Sequence, residues 1–242
     1  MKKMALIPAR YAASRFPAKL MQDLGGRTVI ATTYTAVQST GLFDEVVVAT
    51  DSEMIQAEIE GIGGTVFRSR RPHESGTDRI AEAVEQLEAD LVVNVQGDTP
   101  FIRKEPLEKI VRLFDDPSVQ VGSLMQPIGI PEQVDNPNVV KVVTDTRGNA
   151  LYFSRSPLPF RRDADVEVLY YEHIGVYAFR KEALMRFTQL PPSRLEQIEK
   201  LEQLRLLEAG ISIRMAETGY IGVAIDTPED LERARALING SR

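Results

Sequence analysis

The sequence predicts an α/β protein: a mostly parallel, doubly wound central sheet with helices on both faces, carrying an embedded antiparallel lobe at about residues 120–180. Three observations predict it. Apolar, β-branched runs such as EVVVAT and LVVNVQ alternate with helical stretches through the first hundred-odd residues. Those runs are continuous rather than alternating, as in strands covered on both faces of a parallel sheet. From about residue 120 the pattern changes to strands joined by tight turns, the signature of antiparallel pairing. No repeat or low-complexity linker interrupts the chain, so the economical organisation is one domain over residues 1–242.

Taken in order, Met4–Ile7 reads as a short strand and Thr28–Ser39 as a helix. Glu45–Thr50 is a strand, followed by Asp51 as a helix N-cap. Thr65–Arg68 is a short strand after the turn GIGG, Asp78–Leu87 a helix, Leu91–Gln96 a strand, Glu105–Phe114 a helix and Val119–Met125 extended. Val139–Asp145 and Ala150–Arg155 flank TRGN, a hairpin signal, and Tyr171–Arg180 adds a third strand. A long helix is expected over Ser193–Ala209 and a strand over Ile211–Ala216. A final helix, Pro228–Leu237, follows Val223–Ile225.

Composition bounds the function. The 242 residues are 43% hydrophobic and 26% charged, the profile of a globular protein with a sizeable core. A net charge of −6 argues against a nucleic-acid coat, so any anion site must be a local cluster. With no cysteine, disulfides, thiolate metal sites and cysteine nucleophiles are excluded, which suits a reducing cytosol. MKKMALIPAR is too short and too soon interrupted for a signal peptide, and no apolar run nears the roughly 20 residues that span a bilayer. The expectation is a cytoplasmic protein with neither nucleic-acid nor membrane partners.

In open α/β sheets, ligands bind beyond the carboxyl ends of the strands. After the first strand comes PARYAASRFPAKL, in which Arg10, Arg15 and Lys19 lie on a segment that Pro8 and Pro17 hold extended and Ala12, Ala13 and Ser14 keep small. Such a loop can converge on a polyphosphate, or it can be a solvated surface loop. It is not a P-loop, and the absent GxGxxG removes the main support for an NAD-dependent dehydrogenase. After LVVNVQ comes Asp98, either a turn former or a Mg²⁺ ligand. Asp226 precedes Thr227-Pro228-Glu229-Asp230, a helix start in which Thr227 can cap, leaving Asp226 available; otherwise Asp226 is itself the cap. The run Glu74 to Arg79 opens a helix, as a polar-group site or a plain cap. On the long helix, Leu195, Ile198, Leu201 and Leu206 share an arc that also holds Glu202 and Arg205, a functional pair or an i,i+3 ion pair. Strand alternation places His173, Gly175, Tyr177 and Phe179 on one face. Arg155 ends a strand on the face of Leu151 and Phe153, an awkward place for a guanidinium unless it meets an anion.

Together these stretches resemble the 3-deoxy-manno-octulosonate (Kdo) cytidylyltransferase, or CMP-Kdo synthetase, family. The matching pieces include IPARYAASRFPAKL, HESGTDRIAEAV, VVNVQGDTPFI, NPNVVKVV, ALYFSRSPLPF, HIGVYAF, LEQIEKLEQLRLLEAG and IDTPEDLERAR, nearly end to end and in family order. The resemblance implies a Rossmann-like nucleotide-diphospho-sugar transferase fold, a homodimer formed through the embedded lobe, and the reaction CTP + Kdo → CMP-Kdo + diphosphate, which activates Kdo for lipopolysaccharide assembly. It implies that Arg10, Arg15 and Lys19 hold the CTP phosphates, that Ser14 also binds CTP, and that Ser75, Gly76, Asp78, Arg79 and Gln96 border the cytidine. Asp98 and Asp226 would bind Mg²⁺, with Arg10, Lys19, Asp98 and Asp226 as the catalytic set. Arg155, His173, Tyr177, Glu202 and Gln203 would line the sugar-acid pocket. Three positions depart from the family pattern: Ala18 stands for glycine, Leu20 for proline and Thr99 for glutamate. Two alternatives stay open: CMP transfer to a related acidic sugar such as 8-amino-Kdo, and a non-catalytic nucleotide-binding regulator, for which Thr99 is the foothold.

Overall fold

The structure is a computed structural model and describes residues 1–11, 16–73, 75–163, 165–219 and 224–240. It divides into two compact units, Met1–Leu107 with Ile221–Arg242, and Glu108–Tyr220.

The first unit is built on β1 (Lys3–Ala9), β2 (Glu45–Thr50), β3 (Thr65–Arg68) and β4 (Leu91–Asn94), all parallel, in the order β3-β2-β1-β4. Their continuous apolar runs are buried as a sheet covered on both faces requires: Met4, Leu6, Ile7, Val48, Val92 and Val93 are inaccessible to solvent. The crossovers contain α1 (Val29–Ser39), α2 (Glu53–Gly61) and α3 (Gly76–Gln86), each begun by a hydroxyl side chain that accepts from the first turn: Thr28 from Ala31, Ser52 from Ile55 and Ser75 from Asp78. The cap of α2 is therefore Ser52 and not Asp51; the Asp51 carboxylate accepts instead from the Arg79 guanidinium at 2.7 Å. α4 (Lys104–Arg112) follows β4, and α8 (Pro228–Gly240) belongs to the same unit as the four strands. The expected strand end at Val223 lies outside the described residues.

In the second unit, β5 (Val121–Pro127) pairs antiparallel with β8 (Tyr171–Arg180) and parallel with β9 (Ile213–Glu217). The hairpin β6 (Lys141–Thr144) and β7 (Ala150–Ser154) joins through β6 to β8. A register shift in β7 puts Leu151 out of line, 62% exposed, while Phe153 is buried; the expected shared face of Leu151, Phe153 and Arg155 is broken by that irregularity. In β8 the shift falls at Gly175 and Val176, and His173, Tyr177 and Phe179 still share one face.

The expected long helix is two short ones. After α5 (Lys181–Thr188), α6 runs Arg194–Glu199 and α7 Leu204–Glu208, separated by Lys200 in the left-handed region at φ 55°. The break cancels the predicted arc: Leu201 and Leu206 are buried, whereas Ile198 is 66% exposed. Arg205 forks onto Glu196, the carboxylate that also closes the capping box of α6.

Candidate active site

The carboxyl ends of β1 and β4 open onto a cavity of about 390 Å³, lined among others by Arg10, Phe16, Lys19, His73, Ser75, Gly76, Arg79, Gln96, Asp98 and Asp226. Its geometry follows from the chain. Asp98 leaves β4 in a tight turn: Thr99 donates its N–H and its hydroxyl to the Gln96 carbonyl, the latter at 2.7 Å. Thr99 is thus the turn's fastener, which accounts for a neutral residue beside Asp98. Gly97 is required by crowding, because a Cβ there would meet Ile30 at 3.1 Å and the Pro8 carbonyl at 3.3 Å. The Ile225 N–H donates to the Asp98 carbonyl, which sets Asp226 beside Asp98. Thr227 and Asp230 cap α8 reciprocally, so the Asp226 carboxylate is not the cap.

Lys19 reaches both carboxylates, Nζ lying 2.5 Å from Asp98 Oδ2 and 2.9 Å from Asp226 Oδ1. Burial works against the charge on Lys19, but the two carboxylates outweigh it and raise its pKa above the ordinary value. Burial also raises the Asp98 pKa, and the neighbouring Asp226 adds to it, with Lys19 only partly offsetting both. The turn that presents Lys19 begins at Ala18, which adopts φ 55°, a left-handed conformation that glycine holds without penalty. Leu20, the other departure in this loop, is buried. Two carboxylate oxygens gathered on one cation are the donor set a divalent metal uses when substrate phosphates complete its shell, so the residues fit Mg²⁺. Among the described residues no group of three or more His, Cys, Asp or Glu could hold a metal without such help.

The other nucleotide candidates separate. Ser75 and Gly76 line the cavity at the start of α3, and a Cβ on Gly76 would meet Pro8 at 3.1 Å. Asp78 closes the α3 capping box, accepting from the Ser75 N–H and hydroxyl, so its carboxylate serves the helix. Arg79 is buried and anchored to Asp51 and Ser69. Arg10 and Gln96 line the cavity, while Ser14, Arg15 and Glu74 lie outside the described residues.

In the second unit the structure gathers His173, Tyr177 and Gln203, with Glu202 close enough to act on Tyr177. Ser123 Oγ donates to the Val176 carbonyl at 2.9 Å and accepts from His173 Nε2 at 3.0 Å. Gln203 Nε2 donates to Nδ1 at 3.4 Å, so the network assigns the neutral ring with its proton on Nε2. Burial pushes the His173 pKa down to about 3. Burial, then the Glu202 charge, pushes the Tyr177 phenol well above its usual value. The rings of Phe153, His173, Tyr177 and Phe179 form a continuous ladder, with centroids 4.9, 5.4 and 6.0 Å apart.

Arg155 is engaged elsewhere. Its guanidinium donates to the carbonyls of Glu199, Pro137 and Lys200, and its N–H to the Glu199 carboxylate. A residue that sequence reading passed over supports it: Lys141, wholly buried, donates to the carbonyls of Asn136, Val139 and Arg155 at 2.9, 2.6 and 2.6 Å. Burial lowers its pKa. The available signal was its place in the expected strand Val139–Asp145, between valines, where a solvated lysine is out of keeping.

The ends of the parallel strands bring a lysine together with two carboxylates, and the family model described as cytidylyltransferase, a class of nucleotidyl-transferring enzymes, matches residues 4–213. A 3-deoxy-manno-octulosonate cytidylyltransferase of Flavobacterium johnsoniae is 56% identical over 98% of this chain and 99% of its own length. A second, of Geobacter sulfurreducens, is 45% identical over 95% and 96%. The solved structure of CMP:2-keto-3-deoxy-manno-octonic acid synthetase complexed with CTP superposes with a TM-score of 0.96 at 42% identity, each chain fully covered. A 4-diphosphocytidyl-2C-methyl-D-erythritol synthase of Anaerococcus prevotii, 17% identical with a TM-score of 0.67, shares the fold. The chain belongs to the 3-deoxy-manno-octulosonate cytidylyltransferase family. No helix among the described residues is long and apolar enough to cross a membrane.

Proposed function

We propose that this protein transfers the cytidylyl group of CTP to Kdo, releasing diphosphate and activating Kdo for lipopolysaccharide assembly. The convergence of Lys19, Asp98 and Asp226 at the strand ends carries the reading, in a chain 56% identical over nearly its whole length to a protein named for this activity.

The anomeric hydroxyl of Kdo attacks the α-phosphorus of CTP in line, the diphosphate leaves, and the hydroxyl proton is lost to solvent. Such transfer is mostly positioning and charge stabilisation. Asp98 and Asp226 would hold Mg²⁺, which when bound screens phosphate charge and lowers the pKa of a coordinated hydroxyl. Lys19, freed from the carboxylates, takes up phosphate charge together with Arg10, and Ser14 and Arg15, which stand between them in the sequence, are the further candidates for CTP. Ser75, Gly76 and Gln96 border the nucleoside. His173, Tyr177 and Gln203 supply neutral, partly desolvated donors and acceptors for the hydroxyls of the sugar acid, with the Glu202 carboxylate as a charged acceptor beside them, and Arg155 frames the α6–α7 break that presents Gln203. The chain works as a homodimer in the same reading.

The test is diphosphate release with CTP, Mg²⁺ and Kdo, omitting each in turn. Release is expected only with all three present. Release that ignores Kdo, or none with the complete mixture, sinks the proposal.

A further inference from the structure

One pair, with its histidine on the wall of the cavity, has no part in the chemistry above. His73 lines that cavity, and its Nε2 lies 2.6 Å from Oε2 of Glu82. Both side chains are nearly closed to solvent, at 7% and 3%. Glu82 sits on α3 two turns past Ser75 and is held from a second side, since its Oε1 accepts the Arg70 N–H at 3.0 Å and lies 3.7 Å from Arg71 Nε. Burial favours the neutral acid, but His73, the Arg70 N–H and Arg71 together hold the Glu82 pKa below its ordinary value, so it is ionised and accepts only. Nε2 of His73 must then carry a proton. In the neutral ring Nδ1 is left with a lone pair and has no partner among the described residues. With Nε2 donating to Glu82, a neutral imidazole on the cavity wall presents Nδ1 as an oriented acceptor.

Resting on the reading that CTP is the substrate, we propose that the Glu82–His73 pair is the base-reading element of the cavity: Nδ1 of His73 accepts from the exocyclic amine of cytosine and Glu82 holds the tautomer. Cytosine carries a donor at that ring position; uracil carries a carbonyl oxygen, which would face the lone pair and leave it unpaired. Sites built to accept a hydrogen bond reject the isostere lacking the donor far more strongly than apolar contacts could. His73 touches the base, and Glu82 is a positioning residue that acts through it.

The experiment compares kcat/KM for CTP and UTP, with Kdo and Mg²⁺, in the wild type, His73→Ala, His73→Asn and Glu82→Gln. In His73→Ala the CTP:UTP preference is expected to fall by about ten-fold or more, through KM for CTP rather than kcat. The Asn carbonyl can take the place of Nδ1, so His73→Asn should recover most of the preference. Glu82→Gln, which permits either tautomer, should lose part of it. Because removing His73 leaves a buried carboxylate with fewer partners, thermal unfolding and equilibrium binding of CTP and UTP are measured alongside; His73→Asn carries the test if His73→Ala does not fold. An unchanged CTP:UTP ratio in a folded, active His73 variant overturns the proposal and leaves the cytidylyltransferase reading standing. Failure of the wild type to release diphosphate from CTP would strike that reading instead.

Discussion

The two units organise polar groups by opposite means. In the first, the Lys19 ammonium lies within 3 Å of both the Asp98 and the Asp226 carboxylate beyond the strand ends, with the Asp226 side chain largely in water. In the second, His173 and Tyr177 are driven toward their neutral forms by burial, and Lys141 is closed off from solvent on three carbonyls. The first arrangement suits a ligand that arrives charged and brings a cation. The second suits the hydroxyl groups of a ligand, where fixed hydrogen-bond directions discriminate better than charge does.

The largest expected effect strikes the first arrangement. Asp98→Asn and Asp226→Asn should each cut kcat by about 10³-fold or more while the far-UV circular dichroism stays native. Near-normal kcat at saturating Mg²⁺ in either variant would show that charge at these strand ends is dispensable.

Next comes the buried lysine. Lys141→Met keeps the volume but abandons three carbonyls, and at about 1–3 kcal/mol for a buried unsatisfied group the loss is several kcal/mol. Chemical denaturation should show it, and Arg155 should loosen with it, raising KM for Kdo more than for CTP. A stability within 1 kcal/mol of wild type, roughly the least that one such group would cost, would mean that water replaces the ammonium.

The third probe is pH. The folded His173 pKa of about 3 lies below the unfolded value of roughly 6.5, so the unfolded state binds the proton first. The contribution of His173 to stability is full above about pH 6.5 and declines as pH falls toward 3. An NMR titration should show its ring neutral between pH 5 and 8, and His173→Gln should flatten the acid limb of the stability curve. A ring that titrates near pH 6.5 would place His173 in water and undo the contrast between the units.

The smallest effect is Ala18→Gly. Relieving a left-handed alanine is expected to stabilise by about 1 kcal/mol, a rise in Tm of about 2–4 °C. An unchanged or lower Tm would deny that strain.

What was legible in the sequence follows the same divide. Parallel strands and the loops after them announce themselves, because continuous apolar runs and the charged residues closing them are local patterns; Asp98, Lys19 and Asp226 were readable for that reason. The break at Lys200 was not, since α6 and α7 read together as one apolar arc and only packing shows that Ile198 faces water. The shift in β7 reversed Leu151 for a similar reason, as one extra residue changes sides without altering composition. The roles of Arg155, Lys141 and Glu82 depend on carbonyls and partners distant along the chain. The sequence marks Arg155 and Lys141 as out of place for solvated charges, but not the partners that hold them.

Ala18 carries a consequence for the order in which the cavity at the strand ends comes into being. A left-handed alanine is disfavoured in an isolated stretch of chain, so the turn that presents Lys19 is imposed by its neighbours: buried Leu20, the Gln96–Thr99 turn and the two carboxylates. The loop therefore has no competence of its own. Partial opening of the first unit, short of global unfolding, would release the turn early, and protection of its amides from hydrogen exchange would report whether the site is assembled.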